Sequence, residues 1–280
     1  MERHYPSDVS DAEWALLEPF IIDPSAPRKR GRCETPELAR RSLNAMRYLL
    51  KTGCQWRMLP KEYPPRTTVH DAFTRWTRNG LWESLNTALR KQRRVALEKN
   101  AEPSAAIIDS QSVKCADTVA PSSSGYDAGK KIKGRKRHIL TDTQGMLLGV
   151  LVTPASVQDR DAARVVCCVF CHPLLSLRII FADGGYAGKL EGFVSAAGQV
   201  FGHAAGLVLS IIKRSDKAQG FVLLPKRWVV ERTFGWLVKA RRLVRDHERN
   251  PRHHEAFVYL AMIGHSARHL TTSSDHSAPL

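Results

Sequence analysis

The hydrophobic periodicity of the chain changes near Ala105, and this change limits the possible folds more than any other feature. Before it, apolar residues recur at helical spacing: DAEWALLEPFI follows a capping box formed by Ser10 and Glu13, and Thr35 and Pro36 begin a second helix. After it, short apolar runs such as AAIID and RIIFAD are typical of buried strands. The sequence therefore predicts a helical region followed by a mixed α/β sheet.

The first hundred residues contain two further predicted helices. One begins at Thr67 or Thr68 and ends at Asn79, and the other runs from Leu81 towards Lys99. Short helices joined by tight turns are typical of a helix-turn-helix-like DNA-binding module, but also of an ordinary bundle with a solvated basic face, and both interpretations stay open. The basic residues available to face outward are Arg66, His70, Arg75 and Arg78.

The rest of the chain predicts a sheet with interspersed helices. RHILTD and LLGVLVT are expected strands joined by a turn at TDTQG, followed by a helix over residues 160–171, the strands RIIFAD and LVLSIIK, and a long helix opened by Pro225. The Ser- and Gly-rich residues 115–129 predict a mobile loop. We expect a helical domain over 1–100, an α/β domain over 101–270 and a disordered tail over 271–280.

The charge of the chain favours a polyanionic partner. Lys and Arg number 43 against 27 Asp and Glu, a formal net charge of +16, which makes nucleic acid the leading candidate. The start of the sequence lacks a signal-peptide pattern, which predicts a cytoplasmic protein without a membrane partner. Residues 192–212 carry no formal charge and are long enough to cross a bilayer, but their polar residues favour a soluble helix, turn and strand.

The six cysteines do not have the spacing of paired zinc ligands. Cys168, Cys171 and His172 form a CxxCH pattern, which is also found at haem attachment sites. Because the pattern lies in the apolar run VVCCVFCHPLL, we interpret these cysteines as small core side chains of a helix. Structural disulfides are not expected in the cytoplasm.

Three carboxylates are candidates for a metal site. Asp109 and Asp183 each follow a short apolar run, where strand ends present side chains to a shared crevice, although either could be only a turn former or helix cap. Glu231 is the only acid in KRWVVERTFGWLVKARRLVR, where it could pair with an arginine or hold a metal. Three converging oxygen donors suit one or two Mg²⁺ or Mn²⁺ ions. Arg227, four residues before Glu231, could contact a phosphate beside them.

The densest basic segment is KKIKGRKRH, in which six of the eight residues 130–137 are Lys or Arg. The segment leads into a predicted strand, so it could contact DNA phosphates near the acids or form a solvated hairpin. A GxxxxGK[ST] phosphate loop is absent from the sequence, so ATP hydrolysis is not indicated.

Ordered motifs along nearly the whole chain resemble the DDE transposases of bacterial insertion sequences. SDAEWALLEPF and LLKTGCQWRMLPKEYPP are similar to that family's helical region, and IIDSQSVK, GKKIKGRKRHILTDTQG, ADGGYAG and RWVVERTFGWL to its catalytic core. The resemblance implies a ribonuclease-H-like fold in which Asp109, Asp183 and Glu231 hold two Mg²⁺ or Mn²⁺ ions. In the family's Tyr-Arg-Glu-Lys signature Arg227 and Glu231 match, whereas the tyrosine place holds Leu224 and the lysine place Val238, followed by Lys239.

The resemblance implies an enzyme that cuts and joins the ends of its own insertion sequence by metal-dependent transesterification. Its partners would be the terminal inverted repeats and target DNA, bound by a homodimer in the bacterial cytoplasm or nucleoid. A catalytically silent DNA-binding repressor and a nuclease without strand transfer remain alternatives. Gly184 stands where a lysine is common in relatives. The expected DNA contacts are Lys114, Lys130, Lys131, Lys133, Arg135, Lys136, Arg137, Arg227, Lys239, Arg241 and Arg242.

Overall fold

The computed structural model describes residues 5–22, 35–212 and 227–274. Within these ranges the helices are α1 (Asp11–Ile21), α2 (Pro36–Thr52), α3 (Arg66–Arg78), α4 (Leu81–Ala96), α5 (Asp159–Val166), α6 (Lys189–Val200), α7 (Arg227–Val238) and α8 (Pro251–Ser274). The strands are β1 (Ala105–Lys114), β2 (Gly125–Asp127), β3 (Ile132–Asp142), β4 (Leu147–Pro154), β5 (Ile179–Asp183) and β6 (Val208–Ile212).

The predicted helix boundaries in the first hundred residues are confirmed to within one or two positions. Ser10 accepts a hydrogen bond from the Glu13 amide at 3.0 Å, and the Glu13 carboxylate accepts one from the Ser10 amide at 2.9 Å. Thr35 caps α2, which ends at Gly53 in a left-handed conformation with φ of 71°. These caps satisfy backbone groups that a helix end would leave without partners.

The strands form one mixed sheet of six strands. β1 and β3 pair antiparallel, as do β3 and β4, while β5 lies parallel to β1 and β6 lies parallel to β5. The short strand β2 pairs with the first residues of β3. Three antiparallel strands followed by two parallel ones, with helices on both faces, confirm the predicted ribonuclease-H-like fold.

Each face of the sheet is covered by its own set of helices. Ile107 belongs to a core that α1–α4, α7 and α8 cover, whereas Ile108 points to a second core under α5 and α6. The first core therefore continues across the predicted boundary at residue 100. Two polar contacts also cross it, since Asn86 donates to the Leu147 carbonyl at 2.8 Å and Arg94 pairs with Asp142 at 2.6 Å.

Helix α8 was not predicted from the sequence. Its residues 256–260 are all buried, so its apolar residues surround the helix and leave no amphipathic period to detect. The predicted disordered tail is wrong for residues 271–274, because they continue this helix. Residues 275–280 lie outside the described part of the chain, as does Pro225, the predicted start of α7.

Two further expectations need correction. Residues 115–129, predicted as a mobile loop, contain a single 3-10 turn over Pro121–Ser123 and the strand β2. The run AAIID does not end at Asp109, because β1 continues to Lys114 through its pairing with β3. Both differences arise from pairing with β3, which the local sequence does not reveal.

The uncharged residues 192–212 form part of α6, a turn and β6, as predicted. None of the helices in the described ranges combines the length and the apolar character required to span a bilayer. The five described cysteines are free thiols. Cys171 is buried as predicted, but the prediction of a core side chain is wrong for Cys168, which is exposed, and the neighbouring Cys167 is buried instead.

Candidate active site

Neighbouring parallel strands bring Asp109 and Asp183 side by side. The register pairs Ala105 with Ile179 and Ile107 with Phe181, and the same register carried two residues further sets Asp109 level with Asp183. Because side chains alternate along a strand, Asp109 faces the same side as Ile107, which is the side that α7 covers.

Glu231 reaches this side from α7. Val230 and Phe234 are buried and anchor the helix against the sheet, as the apolar flanks predicted. Arg227 lies between two of the acids: its Nη2 atom is 3.6 Å from Asp183 Oδ2 and 3.8 Å from Glu231 Oε1. The Glu231 side chain is 52% exposed, so the group opens to solvent.

The site carries negative charge that its surroundings do not fully balance. The pKa of the Asp109 carboxyl is raised to about 6, mainly by burial and also by the neighbouring Asp183, although the Ser110 amide, Arg227 and Lys130 oppose the shift. The Ser110 amide donates to Asp109 Oδ1 at 2.7 Å. An ionised Asp109 would therefore be stabilised by an additional cation.

The donor chemistry of the three acids suits a divalent cation, but the side chains are not arranged around one. Among the residues with described positions, no three His, Cys, Asp or Glu side chains lie close enough to hold a metal ion. The guanidinium of Arg227 instead lies beside Asp183 and Glu231. Carboxylate oxygens are the ligands that Mg²⁺ and Mn²⁺ prefer, so the chemistry of the three acids fits such ions. Binding would require the Arg227 side chain to move away from Asp183 and Glu231.

A second polar group lies behind Asp109, on the opposite face of the sheet. Asp159 accepts a hydrogen bond from Ser110 Oγ at 2.8 Å and forms an ion pair with Lys136 Nζ at 3.1 Å. Tyr186 is buried there, and its pKa is raised by burial and then by Asp109, Asp159 and Asp183. The sequence analysis missed this group, although Asp159 follows β4 much as Asp109 follows an apolar run.

Seven of the predicted DNA-contact residues are at least partly accessible. Lys130 lies nearest to the acids, since its Nζ atom donates to the Ser110 carbonyl at 3.2 Å. Arg227 is 27% exposed and is engaged with two carboxylates. The exposed members are Lys114, Lys130, Lys131, Lys133, Lys239 and Arg241.

The other four predicted contacts are buried and bound to internal partners. Arg135 has no exposed surface and pairs with Asp246 at 2.9 Å, and Arg137 donates to Gln111 and to the Leu243 carbonyl. Lys136 is held by Asp159, and Arg242 by Glu248 at 2.6 Å. Because these side chains cannot reach a DNA backbone, the expectation of direct contact is not retained for Arg135, Lys136, Arg137 and Arg242.

The sequence analysis also named Leu224 and Gly184, and the structure describes only the second of them. Leu224 lies outside the described residues. At Gly184 an added side chain would meet nothing within 4 Å, so the position has room for the lysine that is common in relatives.

The sequence analysis also missed a basic cavity of about 630 Å³ beside α7. Its lining residues come from α2, α4, α7, α8 and the turns next to them, so they are widely separated along the chain and form no motif. Among the lining cations the sequence analysis named only Lys239 as an expected DNA contact, although Arg232 directly follows Glu231. The lining cations include Lys51, Arg93, Arg232, Lys239 and Arg268.

Comparison with known proteins gives two family matches. Residues 100–265 match the model described as "Transposase DDE domain", and residues 9–86 match "Putative transposase of IS4/5 family (DUF4096)". The chain is 33% identical over 138 residues to "Putative transposase for insertion sequence element IS402" of Burkholderia cepacia, which covers 45% of this chain and 60% of that relative. It is 30% identical over 108 residues to "Insertion element IS402 uncharacterized 16.2 kDa protein" of the same organism, covering 38% and 72%.

Proposed function

Because this chain belongs to the DDE transposase family, we propose that it cuts the DNA ends of an insertion sequence and joins them to target DNA by divalent-metal-dependent transesterification. The observation that carries the proposal is the approach of Asp183 and Glu231 to one guanidinium, at 3.6 and 3.8 Å, with Asp109 on the adjacent strand close enough for the charge of Asp183 to raise its pKa. The net charge of +16 agrees with a DNA substrate.

Asp109, Asp183 and Glu231 are the residues that would hold one or two Mg²⁺ or Mn²⁺ ions. Such ions, when bound, activate an attacking oxygen and stabilise the charge that develops on the phosphate. Asp109 becomes a carboxylate ligand as the pH rises through its pKa of about 6. The Ser110 amide holds its Oδ1 atom at 2.7 Å, which fixes the side chain in one orientation.

The proposed chemistry consists of two displacements at phosphorus without a covalent protein intermediate. In the first, a water oxygen attacks a phosphate at the element end, the bond from phosphorus to the 3′ oxygen breaks, and that oxygen takes a proton. In the second, the freed 3′ hydroxyl loses its proton, attacks a target phosphate and displaces a target 3′ oxygen. Arg227 could bind the attacked phosphate after it releases the two carboxylates.

The proposed partners are the terminal inverted repeats of the element and target DNA. Lys130, Lys131 and Lys133 are exposed at the start of β3, and Lys130 reaches the Ser110 carbonyl beside Asp109. These three lysines would contact the DNA backbone as it enters the site. Two element ends require at least two catalytic subunits, so we propose that the active form is a homodimer on DNA.

A strand-transfer assay tests the proposal. Labelled element ends, identified from the inverted repeats that flank the coding region, are incubated with target DNA and Mg²⁺. We expect the wild-type protein to give joined product. Replacing Asp109 by Asn should abolish cleavage and joining, because it removes a charged metal ligand. The side chain keeps its size and shape, so DNA binding should remain unchanged.

The matched control is Asp117→Asn, which removes the same charge from an exposed residue and should leave joining unchanged. Mg²⁺-dependent cleavage by the Asp109→Asn protein would contradict the assignment of the site. Cleavage without joining would favour a nuclease, and binding without cleavage by the wild-type protein would favour a repressor.

A further inference from the structure

The basic cavity beside α7 contains an excess of positive charge. Its volume is about 630 Å³, and its lining includes no Asp or Glu. In the described part of the chain, none of its five principal cations forms an ion pair with a carboxylate, whereas Arg47, which also lines it, is neutralised by Glu13 at 3.2 Å. We call the five the cavity cations: Lys51, Arg93, Arg232, Lys239 and Arg268.

The cavity cations repel one another. Burial lowers the pKa of Lys51, and the charges of Arg268, Arg47 and Lys239 lower it further. Burial, followed by Arg93 and other cations, lowers the pKa of His265 to about 3, so this ring is neutral. Asp142, which is paired with Arg94, offsets part of this repulsion at Arg93 and Arg232. An anion placed in the cavity would relieve the rest.

The cavity also offers hydrogen-bond donors held in place. Arg232 donates to the Gln144 carbonyl at 2.8 Å and lies over two indole rings, 4.5 Å from the centre of Trp228 and 4.8 Å from that of Trp236. Its Nε atom and one terminal nitrogen of Arg93 are buried, and neither finds a hydrogen-bond acceptor among the described residues. Buried donors without acceptors are costly and suggest that a ligand supplies the acceptors.

We propose that this cavity binds backbone phosphates of a DNA strand, as a contact separate from the acid site. The inference rests on the proposed function, since it takes the substrate to be DNA. Arg232 directly follows Glu231, and Lys239 comes directly after the last residue of α7, about two helical turns beyond Arg232. The cavity therefore begins next to the acids along α7, a separation that one DNA strand can span, which favours a polymer over a free oligophosphate.

The three exposed cavity cations allow a direct test by DNA binding. Fluorescence anisotropy is measured with a short labelled duplex of arbitrary sequence, over a series of salt concentrations and without Mg²⁺. The test variant combines Lys51→Gln, Lys239→Gln and Arg268→Gln. Since each lost phosphate contact reduces the slope of log K against log salt by about 0.9, we expect the slope to fall by about 2 to 3.

The matched control combines Arg178→Gln, Arg249→Gln and Arg252→Gln, which removes the same charge from exposed residues that do not line the cavity. We expect its slope to change by less than about 1. Equal losses in the two triple variants would overturn the inference and leave the proposed function intact. If the wild-type protein does not bind DNA at all, the proposed function fails with it.

A second measurement uses the unaltered protein and so does not depend on variants that fold. Bound duplex should slow acetylation of Lys51 and Lys239 at least several-fold, while that of Lys61, an exposed residue outside the cavity, should change little. The same measurement with sodium tripolyphosphate in place of the duplex tests whether the cavity binds free oligophosphates and not DNA. If tripolyphosphate protects the two lysines and the duplex does not, the cavity binds free oligophosphates and the inference is overturned.

Discussion

Basic residues in β3 and the cavity cations around α7 lie in opposite electrostatic surroundings. Arg135 and Arg137 have no exposed surface, and each is satisfied by internal partners such as Asp246 and Gln111. Four of the cavity cations come from four different helices and Lys239 follows α7; within the described residues none of the five forms a direct ion pair with a carboxylate. Half of the basic residues in the densest segment are therefore structural, namely Arg135, Lys136 and Arg137, whereas Lys130, Lys131 and Lys133 are exposed. The cavity cations are scattered along the sequence and lack direct carboxylate partners.

The difference teaches that charge density along a sequence does not measure the charge available to a ligand. Successive residues of a strand point to opposite faces, so a basic run in a central strand is divided between two layers. Buried cations there need partners, because desolvation of an unpaired charge is costly. Cations brought together by helix packing at a surface can remain unpaired and attract an anion.

The largest expected effect tests the structural role of β3. Arg135→Met should destabilise the protein by about 3 kcal/mol or more, because it leaves Asp246 without one partner and removes donors from the Ser123 and Glu248 carbonyls. Urea unfolding followed by circular dichroism measures the loss. The exposed neighbour Lys133→Gln is the control and should stay within about 0.5 kcal/mol of wild type. Equal stability of the two variants would show that Arg135 is not a structural residue.

An intermediate effect tests the uncompensated acids beside α7. The folded protein raises the pKa of Asp109 from 3.8 to about 6, so native stability falls as the pH rises from about 4 to about 6 and stays lower above that. Asp109→Asn should therefore stabilise the metal-free protein by about 2 kcal/mol at pH 7, a value that already allows for solvent screening. Below about pH 4 it should have little effect.

Thermal unfolding at several pH values measures this effect, with Asp117→Asn as the exposed control. Adding Mg²⁺ should raise the unfolding midpoint of the wild-type protein and have little effect on the Asp109→Asn protein, because binding to the native state stabilises it. A stability difference independent of pH would contradict the proposed cause.

The smallest expected effect concerns repulsion within the cavity. Lys51→Gln should stabilise the free protein by up to about 0.5 kcal/mol at low salt, because it removes one of several like charges around an exposed site. The gain should largely disappear at high salt, where such repulsion is screened. Urea midpoints at two salt concentrations measure it, and Lys61→Gln serves as a control. Destabilisation at low salt would mean that Lys51 has an internal partner.

Much of the fold was predictable because its signals are local. The caps at Ser10 and Thr35, the stop at Gly53 and the short apolar runs of β1 and β5 involve residues within a few positions of each other. Helix α8 was not predictable in this way, because its residues 256–260 are all buried and leave no amphipathic period there.

The candidate site was predictable only in its residue types. Asp109 and Asp183 stand after apolar runs, and Glu231 is isolated among cations, which made all three candidates. The bridging of Asp183 and Glu231 by Arg227, and the support of Ser110 by Asp159, depend on contacts between separate elements. Spacing in the sequence does not contain those distances.

By itself the sequence determined the starts of the helices and strands that have local signals, which chemical groups the chain carries, and its large positive charge. Only the tertiary structure decided which of those charges are neutralised, since partners such as Arg135 and Asp246 are far apart in the chain and meet through packing. The physical reason is that local hydrogen bonds and periodicity act over a few residues. Desolvation and charge pairing depend instead on distances in space, which the assembled sheet and helices create.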